Sequence, residues 1–492
     1  MATATTTVTR ARLLVGGEWR ASAREIAVRN PAEPEEIVGY VPRATPDETR
    51  AAIGAAAAAF PVWAATPIAE RAAALERAAT ALQAGVEERS VLLVREQGKV
   101  LREARQETSR FVARAQGVAA SAERFAQPQV FDDQGKTVVF RRPRGVAALI
   151  LPWNWPISIL GAVLPPALLA GNTVVVKPPS YAPLATIETL RVIALQFAPG
   201  VVNIVTGDGT EIGPELTTNP LVRKVAFTGS IDTGREILRQ VSACIKPLTL
   251  ELGGNDPAIL LDDFAPTEES LRRLFWAAMT TAGQVCMGLK RVYAPRRLYD
   301  DVVAGLEAEA DRVAVGDGLD PRATMGPLNN RPQLTKVREL AAGSQARGAR
   351  VESRGQILDE AQFGRGHFHR PTIVSAIRQD AELVTCEQFG PVLPVLPYDD
   401  LDQAFAMANA TNFGLCSSLW TADAERAFAL ASRFEAGYTF VNDHGPFAMD
   451  PRAPFGGWKE SGIGRELGMV GTEEFFEYQS VVLRAQPTGG MR

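Results

Sequence analysis

Cys286 stands in the stretch Gly283-Gln284-Val285-Cys286-Met287-Gly288. Glycine on both sides frees the backbone there to approach a ligand closely. The helix-like run 270–281 just before it puts this cysteine on a loop leaving a helix. Upstream, Glu251-Leu252-Gly253-Gly254 places a carboxylate at the end of a short apolar strand, and Pro152-Trp153-Asn154-Trp155-Pro156 holds an amide between tryptophans and prolines. A thiol nucleophile, a carboxylate base and an amide donor are the parts that acyl chemistry at a carbonyl needs. Each also has a bland explanation. A free cysteine is usually a small buried hydrophobe, which suits Cys244, Cys386 and Cys416. A glutamate before two glycines can be an exposed strand end, and Asn154 can be a turn residue.

The surrounding pattern says which elements would position these groups. From Gly145 onward, apolar runs 146–151, 173–176, 201–205, 225–227 and 248–250 alternate with helix-like segments 157–169, 184–197, 211–216 and 233–241. Such alternation argues for a parallel, doubly wound sheet with ligand at the carboxyl ends of its strands. A second series follows Gly254 at 258–261, 271–280, 291–294 and 298–310, then a polar excursion through 343–366, and ends near 442. Ahead of both lie a hairpin at 13–19, a long helical region opened by Pro46 and Asp47, and a helix over 101–125. Segment 127–142 carries Val130, Phe131, Val138, Val139 and Phe140 about a Gly135 turn, the pattern of an arm-like hairpin. Residues 478–484 look like a lone terminal strand.

Together with Phe227-Thr228-Gly229-Ser230 and Pro454-Phe455-Gly456-Gly457-Trp458-Lys459, the three reactive stretches make the chain resemble the aldehyde dehydrogenase superfamily, in the family's order and over nearly its whole length. The resemblance implies an α/β fold: a doubly wound nucleotide-binding domain (1–126 and 143–251), a second α/β catalytic domain (252–442), a small β oligomerisation arm (127–142 and 478–492), and an interdomain segment (443–477) returning to the first domain. It implies that Cys286 attacks an aldehyde to form a thiohemiacetal and then a thioester. Glu251 is then the general base, and Asn154 is the oxyanion donor beside the Cys286 backbone N–H. Oxidation would use NAD or NADP. Gly229 and Gly234, spaced G-x-x-x-x-G, match the family's phosphate turn, with a helix opening near Ser230; Lys177 matches the adenine-ribose lysine, Glu387 the nicotinamide-ribose carboxylate with Phe389 beside it, and Trp153 a further cofactor contact. The resemblance also implies a homodimer or homotetramer.

Two positions depart from the pattern. Many members carry a glutamate three residues after the strand lysine, where this chain has Ser180, so NADP is expected to be accepted and even preferred. Many carry a lysine where Val163 stands, usually paired with a glutamate matching Glu466, and no role is assigned to Glu466 here. Trp155, Ile159, Met287, Phe447 and Phe455 are candidates for the substrate pocket wall, which favours an apolar or aromatic aldehyde rather than a carboxylated semialdehyde. Arg452 near the mouth argues the other way, for an anion.

Other classes recede on composition. With 492 residues, two or three domains are expected. The formal net charge of -4 argues against a general nucleic-acid binder. The four cysteines lack paired spacing, and His367 with His369 forms a lone H-x-H on an expected surface loop, so neither a disulfide framework nor a metal site is expected. Residues 1–10 lack the apolar core of a signal peptide and read as a frayed tail. No apolar stretch has the length of a membrane span. A cytoplasmic enzyme follows, the alternatives being a cysteine-dependent ester or thioester hydrolase and a non-catalytic binding protein on the same scaffold.

Overall fold

The structure, a computed structural model, describes residues 8–132 and 135–484. Most of the expected frayed tail, the tip of the 127–142 hairpin and the end of the 478–492 arm lie outside the described residues. Among the described residues, no single helix is long and apolar enough to cross a membrane.

The first large sheet has eight strands, and its centre is parallel in the spatial order Leu248–Glu251, Val222–Thr228, Val146–Ile150, Thr173–Lys177, Val202–Ile204. Thr173–Lys177 reads Thr-Val-Val-Val-Lys and is buried throughout, as a strand covered on both faces must be. The chain runs outward from Val146–Ile150 through two strands on one side, then restarts with Val222–Thr228 on the other. That reversal is a topological switch point, and the crevice beyond the carboxyl ends of Val146–Ile150 and Val222–Thr228 is where such sheets bind ligands. Asn154 lies just past the first of these strands and Gly229 just past the second.

The second large sheet has seven strands, in the order Arg350–Ser353, Thr372–Ser375, Val392–Tyr398, Leu289–Pro295, Asp256–Leu260, Cys416–Trp420, Tyr438–Val441. All neighbours are parallel except Arg350–Ser353, which pairs antiparallel to Thr372–Ser375. The chain leaves the carboxyl end of Leu248–Glu251 and enters Asp256–Leu260 within a few residues, so Glu251 faces the junction between the sheets. A smaller antiparallel sheet joins Phe476–Arg484 to Gly135–Pro143 along their full length, with Gln129–Phe131 beyond. Val481 and Val482 on this sheet are half exposed or more.

Several elements differ from expectation. The polar excursion 343–366 holds the end of a helix, Arg331–Ala346, then short strands and the Glu360–Arg365 turn of helix. Leu334, Val337, Leu340 and Ala341 make the buried face of that helix, an amphipathic signal diluted by many polar residues between them. The helix Val86–Gln97 lies between Gly85 and Gly98, both left-handed at φ 70° and 101°. The antiparallel pair Glu25–Asn30 and Glu33–Pro42 is a further unexpected feature, joined by Thr9–Arg10 in a three-stranded sheet. The helix expected over 101–125 stops at Ala120 and resumes as a short turn at Glu123–Ala126. His367 and His369 lie on a loop as expected but are half-buried there, and burial lowers the pKa of both rings.

Candidate active site

The helix Glu268–Met279 delivers the chain to Cys286 through a sharp turn. Thr281 and Ala282 are left-handed at φ 53° and 52°, and Gly283 follows at 73°. Two non-glycine residues in that region are costly and need outside support. Glu103 supplies it, accepting from Thr281 N at 3.0 Å and from the Thr281 hydroxyl at 3.2 Å. Gly283 admits no side chain, because a Cβ there would lie 2.3 Å from Gly390 O. The Gln284 side chain then ties the loop to Thr281 O at 2.9 Å and to Asn329 N at 2.8 Å.

Asn154 reaches this loop from the first sheet. Its Nδ2 donates to Gln284 O at 3.0 Å, and its own carbonyl accepts from Lys99 Nζ at 2.9 Å. Lys99 is fully buried and paired with Glu107. Glu107 in turn accepts from Ile157 N at 2.8 Å and Ser158 N at 3.2 Å, capping the helix Pro156–Leu169 that Trp155 leads into. A helix N-terminus without a side-chain cap of its own is thereby satisfied.

Glu251 ends its strand with both carboxyl oxygens buried and without a protein hydrogen-bond partner. Burial, followed by the nearby Glu466, pushes its pKa well above the usual carboxylate range, while Arg465 opposes. Gly456 lets the segment after Pro454 close over it, since a Cβ there would lie 2.8 Å from Glu251 Oε1. Burial also pushes the Cys286 thiol up to about 12, helped by Glu387 and opposed by Lys290. Cys286 is therefore a protonated thiol at neutral pH in this state, and attack requires a base.

Asn154, Glu251 and Cys286 line one cavity of about 60 Å³, together with Trp155, Ile159, Met287 and Phe455. Phe447 does not line it; the ring stands behind Trp155 at 5.8 Å, edge-on. Arg452 is also elsewhere, with an exposed side chain forked onto Asp450 at 2.6–3.0 Å. Glu466 does line the cavity, and burial pushes its carboxyl up to about 7 against the pull of Arg114 and Lys224. Val163 is buried in the core, and the cation nearest Glu466 in effect is Arg114, from a different helix.

The expected cofactor residues lie along the crevice. Strand register aligns Phe227, Ile150 and Lys177 at the carboxyl ends. Lys177 is buried, which lowers its ammonium to about 8 while Asp208 raises it. Ser180 is exposed in the turn after Pro178 and Pro179. A Cβ at Gly229 would lie 2.4 Å from the Phe227 ring, so any side chain there would have to displace that ring. Ser230 caps the helix Ile231–Val241 through Thr233 N at 3.2 Å, and Gly234 in its first turn packs on Leu252. Trp153 and Phe389 meet edge to face at 5.5 Å. Glu387 is half-buried and accepts from Gly254 N at 3.1 Å. A cation, a capped helix N-terminus behind a glycine and a half-buried carboxylate fit the ribose and diphosphate of a dinucleotide.

Sequence reasoning missed Glu103, Glu107, Arg110 and Arg114. All lie on the helix Leu101–Ala120, spaced four, three and four apart, which is one helical face. That spacing was the available signal, since it sets charged residues beside the buried apolar stripe of Ala104, Phe111, Val112 and Ala115.

Residues 19–481 match the sequence model described as the aldehyde dehydrogenase family. The NADP-dependent succinate-semialdehyde dehydrogenase of Escherichia coli is 35% identical over 473 residues, covering 95% of this chain and 96% of that one. The betaine aldehyde dehydrogenase of Bacillus subtilis is 33% identical over 484 residues, covering 96% and 98%. A crystal structure described as an E. coli NADP-dependent enzyme superposes with a TM-score of 0.92 at 34% identity, covering 97% of this chain and 98% of that one. Fold, motif order and near-complete coverage agree, and the chain belongs to the aldehyde dehydrogenase family.

Proposed function

We propose that this chain oxidises an aldehyde to its carboxylic acid with NAD or NADP as acceptor, through a covalent adduct on Cys286. The observation that carries the reading is the single cavity in which Asn154, Glu251 and Cys286 meet. Ionised Glu251, in the same cavity, takes the Cys286 thiol proton directly or through one water and passes it to solvent, as Sγ bonds to the carbonyl carbon and the C=O electron pair moves onto oxygen. The Asn154 amide and the Cys286 backbone N–H stabilise that oxyanion. When bound, the nicotinamide would supply the two-electron, hydride-accepting chemistry by which the Cys286 adduct becomes a thioester. Glu251 then removes a proton from water, whose oxygen attacks the acyl carbon; the C–Sγ bond breaks and the acid departs. Because Glu251 binds its proton unusually tightly, it is a strong base once ionised.

Trp153, Lys177, Ser180, Gly229, Ser230, Gly234, Glu387 and Phe389 would hold the dinucleotide. The first sheet would serve as the nucleotide-binding unit and the second as the catalytic unit. Trp155, Ile159, Met287 and Phe455 would surround an apolar or aromatic aldehyde body. The half-exposed apolar side chains of the arm sheet support a homo-oligomer, since such an edge needs covering. Following reduced-nicotinamide absorbance with an aldehyde panel and each cofactor tests the reading. Aldehyde-dependent reduction is expected; ester cleavage indifferent to the cofactor, with no reduction, would replace this reading with a hydrolase.

A further inference from the structure

The charge of the substrate is not fixed by family membership, since the named relatives act on an anion, succinate semialdehyde, and a cation, betaine aldehyde. It has to come from this chain's own wall. The inner cavity adjoins an outer one of about 410 Å³, and the two share Arg110, Arg114, Ala162, Pro446, Met449 and Leu467. Among the described residues, four guanidinium groups line the outer cavity, those of Arg110, Arg114, Arg124 and Arg452, and no carboxylate does. Three of the four are engaged. Arg452 is forked onto Asp450, Arg124 contacts the Met469 sulfur, and Arg114 donates to Ser158 while facing Glu466.

Arg110 differs. Its Nη1 is buried and has no acceptor among the described residues. The nearest carboxylate on its own helix, Glu107, is committed to Lys99, Ile157 N and Ser158 N. Its guanidinium lies 5.0 Å from the Phe447 ring centroid and 5.8 Å from that of Trp155. Such contacts hold the planar fork in place before any ligand arrives, so little side-chain freedom is lost on binding. Trp155, on the inner wall, also has a buried indole N–H without a protein acceptor. Two buried donors on residues that line the same inner cavity, one of them cationic, suit an anionic oxygen pair. A buried donor with no acceptor is otherwise costly.

We infer that Arg110 anchors a negatively charged group at the far end of the aldehyde, so that the substrate class is a short or aromatic aldehyde carrying a carboxylate or sulfonate. The inference rests on the dehydrogenase reading above and adds charge to the apolar inner wall. It also gives Phe447 a place, as the platform under the guanidinium rather than as pocket lining.

The test compares near-isosteric aldehydes that differ in charge: 4-oxobutanoate against butanal, and 4-formylbenzoate against 4-methylbenzaldehyde. In the wild-type holoenzyme kcat/KM should favour the anion by at least about 30-fold, the scale of one charge-assisted hydrogen-bond set. The anion-to-neutral ratio should fall at least about tenfold in Arg110→Met, recover in part in Arg110→Lys, and keep its wild-type value in Arg452→Met. In parallel, succinate and terephthalate should raise the thermal midpoint of the NADP-loaded wild type more than that of loaded Arg110→Met. A wild-type ratio near one, or a preference that survives Arg110→Met, overturns the inference. If no aldehyde of either charge were oxidised, the dehydrogenase reading would fail by itself. The dicarboxylate shift would then decide the anion site: its presence in wild type and loss in Arg110→Met sustains the site, and its absence removes it.

Discussion

Glu103 holds Thr281 at both the backbone N–H, 3.0 Å away, and the hydroxyl, 3.2 Å away, and through that residue it sets the approach to Cys286. Both residues are buried, and Thr281 and Ala282 occupy left-handed backbone that the helix before them does not impose. Further along the same helix face, Glu107 caps the Asn154-bearing turn's helix and Arg114 faces Glu466. One helix of the first half of the chain therefore positions nucleophile, oxyanion donor and base surroundings together. Glu103→Ala leaves a buried N–H without its acceptor and releases the turn. We expect a loss of about 2 kcal/mol in unfolding free energy, with kcat falling at least about tenfold from a misplaced thiol. Denaturant unfolding and steady-state kinetics check both, and an unchanged kcat would show that Glu103 supports the fold alone.

Cys286→Ala should bring dehydrogenase turnover below about 1% of wild type while the cofactor still binds, because the dinucleotide contacts are on other residues. Fluorescence titration with NADP and a turnover assay read the two halves. Turnover above a few per cent in a verified variant would take Cys286 out of the mechanism.

Glu251→Gln should slow release of the acyl group more than its formation. The expected record is a pre-steady-state burst of reduced cofactor, near one per active site, followed by slow turnover. Stopped-flow absorbance checks it, and full steady-state turnover in the variant would assign the base to another group.

Glu466 gives the pH dependence its sign. Its anion is one of the causes that raise the Glu251 pKa, and its own carboxyl is pushed up to about 7. Glu251 must lose its proton to act, so kcat should rise with pH along an acid limb. Removing the neighbouring negative charge in Glu466→Gln lowers the Glu251 pKa and should move that limb to lower pH, by at least about 0.5 unit. Because the two carboxyls titrate together, the limb belongs to the pair. A limb that stayed put or moved to higher pH would separate Glu466 from the base.

Much of this was legible in the sequence wherever local pattern and chemistry coincide. Thr173–Lys177 announces a strand buried on both faces by its run of valines, and glycines around Cys286 announce close backbone approach. The helix Arg331–Ala346 was lost because its buried face is interrupted by polar residues at every turn. Glu103, Glu107 and Arg110 escaped for a different reason. Their partners, Thr281, Ile157 and the cavity, lie far away along the chain or across the fold, and spacing on one helix says which residues share a face without saying what the face meets. Arg452 shows the converse, a cation near the mouth whose charge the adjacent Asp450 occupies.

Ser180 carries the last prediction. It is exposed in the turn after Lys177, and Pro178 and Pro179 restrict the backbone between them. A glutamate at this place would accept hydrogen bonds from the adenine-ribose hydroxyls and repel a 2′-phosphate, the more so with water partly excluded. Serine removes the repulsion and offers a hydroxyl donor. Lys177, although burial lowers it to about 8, still bears its proton in most molecules at neutral pH and attracts the phosphate. NADP should therefore be accepted readily, and Ser180→Glu should lower kcat/KM for NADP relative to NAD by at least about tenfold, or ~1.4 kcal/mol. Parallel titrations of both cofactors at a saturating aldehyde concentration measure the ratio. An NADP/NAD ratio unchanged by the substitution would mean that cofactor choice is made elsewhere in the crevice, and Lys177 would be the next residue to test.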